Sequence, residues 1–175
     1  MNRLIFTTLV SISLLTPALA MAAMPKSADT AAAPMNVDKA SFVKVVTSAN
    51  AFEIESGKLA EEKAKDADIK DFAKQMIADH TKATEGLKKA AKLGVEPPML
   101  APKHAAMLET LKGASEQDFQ ALYIEMQTVA HMEAVTLFAT YAKGGDDAAV
   151  KAFAAETLPT LAMHKMHVMK LVAAH

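Results

Sequence analysis

Residues 69–87 read IKDFAKQMIADHTKATEGL. In this stretch Ile69, Phe72, Ala73, Met76, Ala83 and Leu87 recur at helical spacing, which is the mark of an amphipathic α-helix rather than a strand. Turning 100° per residue, His80 falls about 20° from the start of the same apolar stripe. The segment therefore sets a helical period and places one ionisable ring on the face that must be buried.

Working outward, helix punctuation recurs along the chain. Asp68 with Asp71 three residues on reads as a capping box for this helix, and Gly94 ahead of Pro97-Pro98 closes it. A preceding helix is expected over residues 39–65, and a short one over 102–112 that Gly113 ends. Ser115 with Asp118 caps a helix running to Lys143, stopped by Gly144-Gly145. The last starts after Asp146, ends near Ala174 and contains Pro159, which predicts a kink near Leu158 and frees the carbonyl of Ala155. No segment alternates with the period of a strand. Four helices of about 26 to 28 residues, each roughly 40 Å long, predict an all-α fold: an antiparallel four-helix bundle with a short crossover helix over residues 38–174. The pattern apolar-Lys-x-Phe-Ala occurs in both halves, at residues 69–73 and 150–154.

The chain has 175 residues, 51% of them hydrophobic and 5% aromatic, with no cysteine. That excludes disulfides, thiolate zinc sites and cysteine nucleophiles. A net charge of −1, with no cluster of Lys and Arg interleaved with aromatics, argues against a nucleic-acid partner. Residues 1–20 combine Arg3, an apolar run over 4–15, Pro17 and Ala18-Leu19-Ala20, the pattern of a cleavable signal peptide. The run is shorter than the roughly 20 residues a membrane span needs, so the expectation is export to the periplasm with no transmembrane segment left after cleavage. Residues 21–37, rich in Ala, Pro and small polar residues, read as a flexible leader.

The other seams also carry one polar group each. On the first helix Phe42, Val45, Val46, Ala49, Ser56 and Ala60 share a direction with Glu53, while Glu55 points the other way. On the last, Val150, Phe153, Thr157, Leu161, Val168 and Leu171 leave a gap filled by His164, with His167 on its flank. The fourth helix offers two seams: Ile124, Gln127, His131, Ala134, Phe138 and Tyr141, or Phe119, Met126, Ala130, Glu133 and Leu137, the second turning His131 outward. Glu53 and His80 are equidistant from the 66–68 loop and should lie at one level. His131 and His164 are offset by roughly 5 Å.

One carboxylate and three imidazoles are costly to bury unless they pair or hold a cation. Glu53, His80, His131 and His164 are therefore the candidate metal ligands, suited to one transition-metal ion such as Zn, Cu, Fe or Ni. The alternatives are a Glu53–His ion pair with the other histidines bonded to backbone or water, and bis-histidine haem binding. A di-iron centre is disfavoured, because residues three before the histidines are Ile77, Thr128 and Leu161 rather than Glu. Met163, Met166 and Met169, with Met21, Met24 and Met35, offer soft thioethers for Cu(I), but the first three point away from His164. A metal with an open position would permit oxidase or peroxidase chemistry. A metal-free bundle would instead act by self-association or by binding an envelope protein.

Several of these residues fall in longer motifs: Phe42 followed by Glu53-Ile54-x-x-Gly57-x-Leu59-Ala60, Ile69-Lys70-x-Phe72-Ala73 leading to Met76-Ile77-Ala78-Asp79-His80, Phe119-x-x-x-Tyr123 leading to His131, and Leu158-Pro159-Thr160-Leu161-x-x-His164. With them the chain resembles, over residues 38–173, the bacterial exported ferritin-like family catalogued as domain of unknown function 4142. The resemblance implies a ferritin-like four-helix fold and an exported, outer-membrane location. It matches Glu53, His80, His131 and His164 to family motif positions, favours His131 over Glu133 as the inward group, and implies no particular activity.

Overall fold

The computed structural model describes residues 37–94 and 99–175. The expected signal peptide, the leader up to residue 36 and Pro97-Pro98 lie outside them. Among the described residues there are five helices and no strand: α1 (Lys39–Lys63), α2 (Ala67–Ala91), α3 (Pro102–Gly113), α4 (Glu116–Gly144) and α5 (Ala148–Ala174). None is long and apolar enough to cross a membrane.

Side-chain hydrogen bonds fix most of the helix starts. Asp38 caps α1 by accepting from Ser41 N–H at 2.7 Å. Ser115 caps α4, accepting from Asp118 N–H at 3.2 Å while its hydroxyl donates to the Asp118 carboxylate at 2.6 Å. Two starts differ from expectation. Asp66, in extended backbone, brings its carboxylate over the first turn of α2 and accepts from Asp68 and Ile69 N–H, so the helix begins before the expected Asp68–Asp71 box. Asp147 does the same for α5, accepting from Ala149 and Val150 N–H. α2 also stops earlier than Gly94: Lys92 takes the left-handed conformation (φ 57°, ψ 46°) and Leu93 N–H closes back on the Lys88 carbonyl. α5 runs as one helix through Pro159.

The connections define an all-α four-helix bundle in which packed neighbours are antiparallel. α1 and α2 form one hairpin, α4 and α5 the other, with α2 packed on α5 and α1 on α4. The loop between α1 and α2 meets the start of α4, where Gln120 Oε1 accepts from Lys65 and Asp66 N–H. The α3 crossover runs alongside α1. At its start Ser48 Oγ accepts from Ala101 N–H at 2.7 Å and shares a 2.6 Å hydrogen bond with His104 Nδ1. At its end Lys63 Nζ donates to the Lys112 carbonyl at 2.7 Å, near the negative end of the helix dipole.

Burial follows the seams closely. Ile69, Phe72, Ala73 and Met76 are buried, and so are the corresponding Val150, Phe153 and Ala154 of the second hairpin. Val45, counted with the α1 stripe, is instead exposed. On α4 the seam through Gln127, His131 and Phe138 faces inward, while Glu133 is exposed and bonds Lys103 at 2.6 Å. The apolar core forms two lobes. One, around Phe72, Met76, Phe119, Ile124 and Val168, fills the end near the hairpin loop of α1 and α2. The other, around Phe42, Leu87, Phe138, Val150 and Leu161, fills the opposite end, where Phe42 stacks on Tyr141 at 4.1 Å. Between them lies a polar layer containing Asn50, Glu53, His80, Gln127, His131 and His164.

Candidate metal centre

His80 from α2, His131 from α4 and His164 from α5 meet in that layer. Each offers a ring nitrogen lying within 4.8 Å of one from each of the other two. The ring centroids are 5.6 Å apart for His80 and His131, 5.5 Å for His80 and His164, and 5.3 Å for His131 and His164. The expected offset along the axis does not separate the last pair. Phe72 lies edge-on to His131 at 6.2 Å and closes the apolar side.

One nitrogen of each ring is already committed. His131 Nδ1 bonds the backbone carbonyl of Gln127 at 2.9 Å, one turn back on its own helix. His164 Nε2 bonds the Asp79 carboxylate at 2.8 Å, and His80 Nδ1 bonds Asn50 Oδ1 at 2.9 Å. All three partners are oxygen acceptors, so each committed nitrogen carries the ring hydrogen and donates it. The other nitrogen of each neutral ring must then carry a lone pair. Those nitrogens, His80 Nε2, His131 Nε2 and His164 Nδ1, are buried and have no hydrogen-bond partner. Oxygen acceptors behind imidazoles orient metal ligands in the same way and raise their basicity.

The electrostatics hold the rings neutral. Burial pushes His131 from 6.5 to about 4, with the Gln127 carbonyl opposing and the His164 charge adding. Burial lowers His80 well below its usual range, helped by the charges of His131 and His164. Burial also lowers His164, against the bond to Asp79 and its charge. A neutral imidazole is the form that binds a metal. Three nitrogens each within 4.8 Å of the others have a common point within about 2.8 Å of all three, against zinc–nitrogen bonds of about 2.0 to 2.1 Å. Shifts of less than about 1 Å would complete such bonds, so the residues fit a metal ion.

Glu53 is in the layer but outside the three-nitrogen group. It is only 3% exposed, and burial raises its carboxyl from 4.5 to about 8, with a hydrogen bond from the Gln127 side chain working the other way. Its Oε2 has no partner. Among the described residues it makes no ion pair with a histidine, which removes that explanation for burying it. The backbone bond of His131 is the one part of that alternative present. Met163, Met166 and Met169 are all exposed, away from the buried rings.

A scan against family models matches residues 24–171 to a domain of unknown function, DUF4142. The chain belongs to the DUF4142 family. No curated protein and no solved structure matches it. Two of the site's supporting residues escape a reading of seams. Asp79 lies at the edge of the α2 stripe, where a carboxylate passes as solvated, yet it holds His164 from the far side. Asn50 sits one turn before Glu53, beside the stripe rather than on it; the signal was an amide at the level of a buried histidine. The solvent edge of the site is a groove of about 490 Å³ between α2 and α5, lined by Asp79, Lys82, Gly86, Phe153, Glu156 and Thr160.

Proposed function

We propose that this protein binds one divalent transition-metal ion in the bundle core, through His80 Nε2, His131 Nε2 and His164 Nδ1, with the Glu53 carboxyl buried beside them in the same layer. The observation that carries the reading is the set of three buried lone pairs, each forced by an acceptor behind its ring. A nitrogen-rich site with one carboxylate suits Zn, Cu, Fe or Ni. The ion would offset the burial of Glu53 and polarise whatever ligand completes its shell.

The signal-like residues 1–20 support export, and we place the protein in the periplasm or at the outer membrane, in metal handling or envelope stress. Metal content of full-length protein purified from the cell envelope, by mass spectrometry, tests the reading. Near-stoichiometric metal that is lost in the Glu53→Ala/His80→Ala variant supports it; equal and negligible metal in both refutes it.

A second reading is favoured by the surface. Val129 and Met132 on α4, and Met163, Met166, Met169 and Val172 on α5, are each exposed by more than 40%. Exposed apolar side chains of this kind suit self-association or an envelope protein partner. A mass that rises with concentration in light scattering, with melting indifferent to chelator, would favour this reading over the metal.

A further inference from the structure

The three-histidine site leaves four other buried polar atoms without a partner: Asn50 Nδ2, Glu53 Oε2, Tyr123 Oη and Gln127 Oε1. Their residues are at most 4% exposed. Buried polar groups are rarely left unpaired, and such groups commonly share a bound water or ion. These four also belong to one connected set. Asn50 and Glu53 are one turn apart on α1, and Tyr123, Gln127 and His131 follow one another at four-residue steps on α4. Asn50 already holds His80, and the Gln127 carbonyl holds His131. The Gln127 amide donates to Ser56 Oγ at 3.1 Å and lies near enough to the Glu53 carboxyl to oppose the rise in its pKa. Tyr123 feels the charge of Glu53.

The set is chemically mixed. Asn50 Nδ2 can only donate, Gln127 Oε1 can only accept, the tyrosine hydroxyl can do either, and a carboxyl oxygen accepts when ionised. Together they suit a small ligand with both lone pairs and a hydrogen. Three imidazoles leave one coordination position of a tetrahedral ion unfilled, and catalytic zinc sites keep water or substrate there. Glu53, the carboxylate in the layer, stands apart from the three-nitrogen group.

We propose that the fourth coordination position is exchangeable and takes a small oxygen- or nitrogen-donor ligand, water or hydroxide at rest, that Glu53, Asn50, Gln127 and Tyr123 surround and hydrogen-bond. Glu53 then acts on this ligand and not on the metal itself. The inference rests on the three-histidine reading, and burial restricts the ligand to a few heavy atoms.

Copper(II)-loaded full-length protein titrated with sodium azide tests it, followed by the azide-to-copper charge-transfer absorption and by electron paramagnetic resonance. A saturable azide band is expected in the wild type. Tyr123→Phe should weaken azide about tenfold while leaving copper affinity unchanged. Glu53→Gln should retain copper with the same nitrogen superhyperfine pattern. Bound copper that gives no azide band in the wild type overturns the inference and leaves the metal site standing. Loss of copper, or a changed donor set, in folded Glu53→Gln shows that Glu53 is a direct ligand and also overturns it. Failure of the wild type to bind any divalent metal brings down both readings.

Discussion

Replacing Glu53 by Gln should stabilise the metal-free protein at neutral pH. The side chain is buried, and its pKa rises from 4.5 to about 8 on folding because burial disfavours the charge. A group whose folded pKa is raised contributes stability below its unfolded pKa and loses it as pH rises toward the folded value. At about 1.36 kcal/mol per unit, the loss is about 3 kcal/mol at pH 7 and about 5 kcal/mol above pH 8. Glutamine keeps the shape and the amide-sized polarity without ever ionising. In urea unfolding with chelator present, the two proteins should differ by under about 1 kcal/mol at pH 5, and the variant should be ahead by about 3 kcal/mol at pH 7. Saturating metal should shrink or reverse the gap, since a cation favours the ionised carboxylate. A difference that does not change with pH, or a wild type more stable than Glu53→Gln in chelator at pH 7, would refute the reasoning.

Three further outcomes follow from the same geometry. His131 is lowered from 6.5 to about 4, so its stability is present above pH 6.5 and lost as pH falls toward 4; in a Glu53→Gln background the metal-free protein should lose about 3 kcal/mol from this ring alone, and His131→Gln should flatten that slope in denaturant unfolding across the window. Asp79→Asn should weaken zinc binding about 10- to 100-fold in calorimetric titration, because it alters the acceptor behind His164. Gly57→Leu should cost about 1–3 kcal/mol in thermal unfolding, since even a Cβ at Gly57 would stand 2.9 Å from Ile77 Cγ1 and 3.2 Å from the Ala73 carbonyl oxygen where α1 and α2 pack closely.

Period and punctuation made the helices legible, because each buried stripe is a local property of one segment. The three histidines were legible for the same reason, each occupying a gap in its own seam. Helix ends were less so: Asp66 won over Asp68 and Asp147 over Asp146 through backbone conformation at the loop, and Lys92 took a left-handed turn that composition would assign to Gly94. What no seam could reveal is which groups meet across helices. The bond from Asp79 to His164 joins residues 85 apart, and the Ser48–His104 contact that seats the crossover depends on α3 lying along α1. The separation of Glu53 from the three nitrogens is likewise a matter of tertiary placement rather than of angle on a helical wheel.

The polar layer between the two apolar lobes also governs how the hairpins are aligned. Ile124, His131 and Phe138 are spaced seven apart on α4, as apolar, polar and apolar rungs of one seam. Sliding the α4–α5 hairpin by two turns against α1 and α2 would leave the apolar contacts interchangeable, rung for rung, but would carry His131 into a lobe of Phe and Val and bring a phenyl ring against the Asn50–His80 pair. A core apolar along its whole length would tolerate several such alignments with little difference in energy. The layer thus acts as an index mark: it makes one alignment of the two hairpins cheaper than its neighbours before any metal arrives.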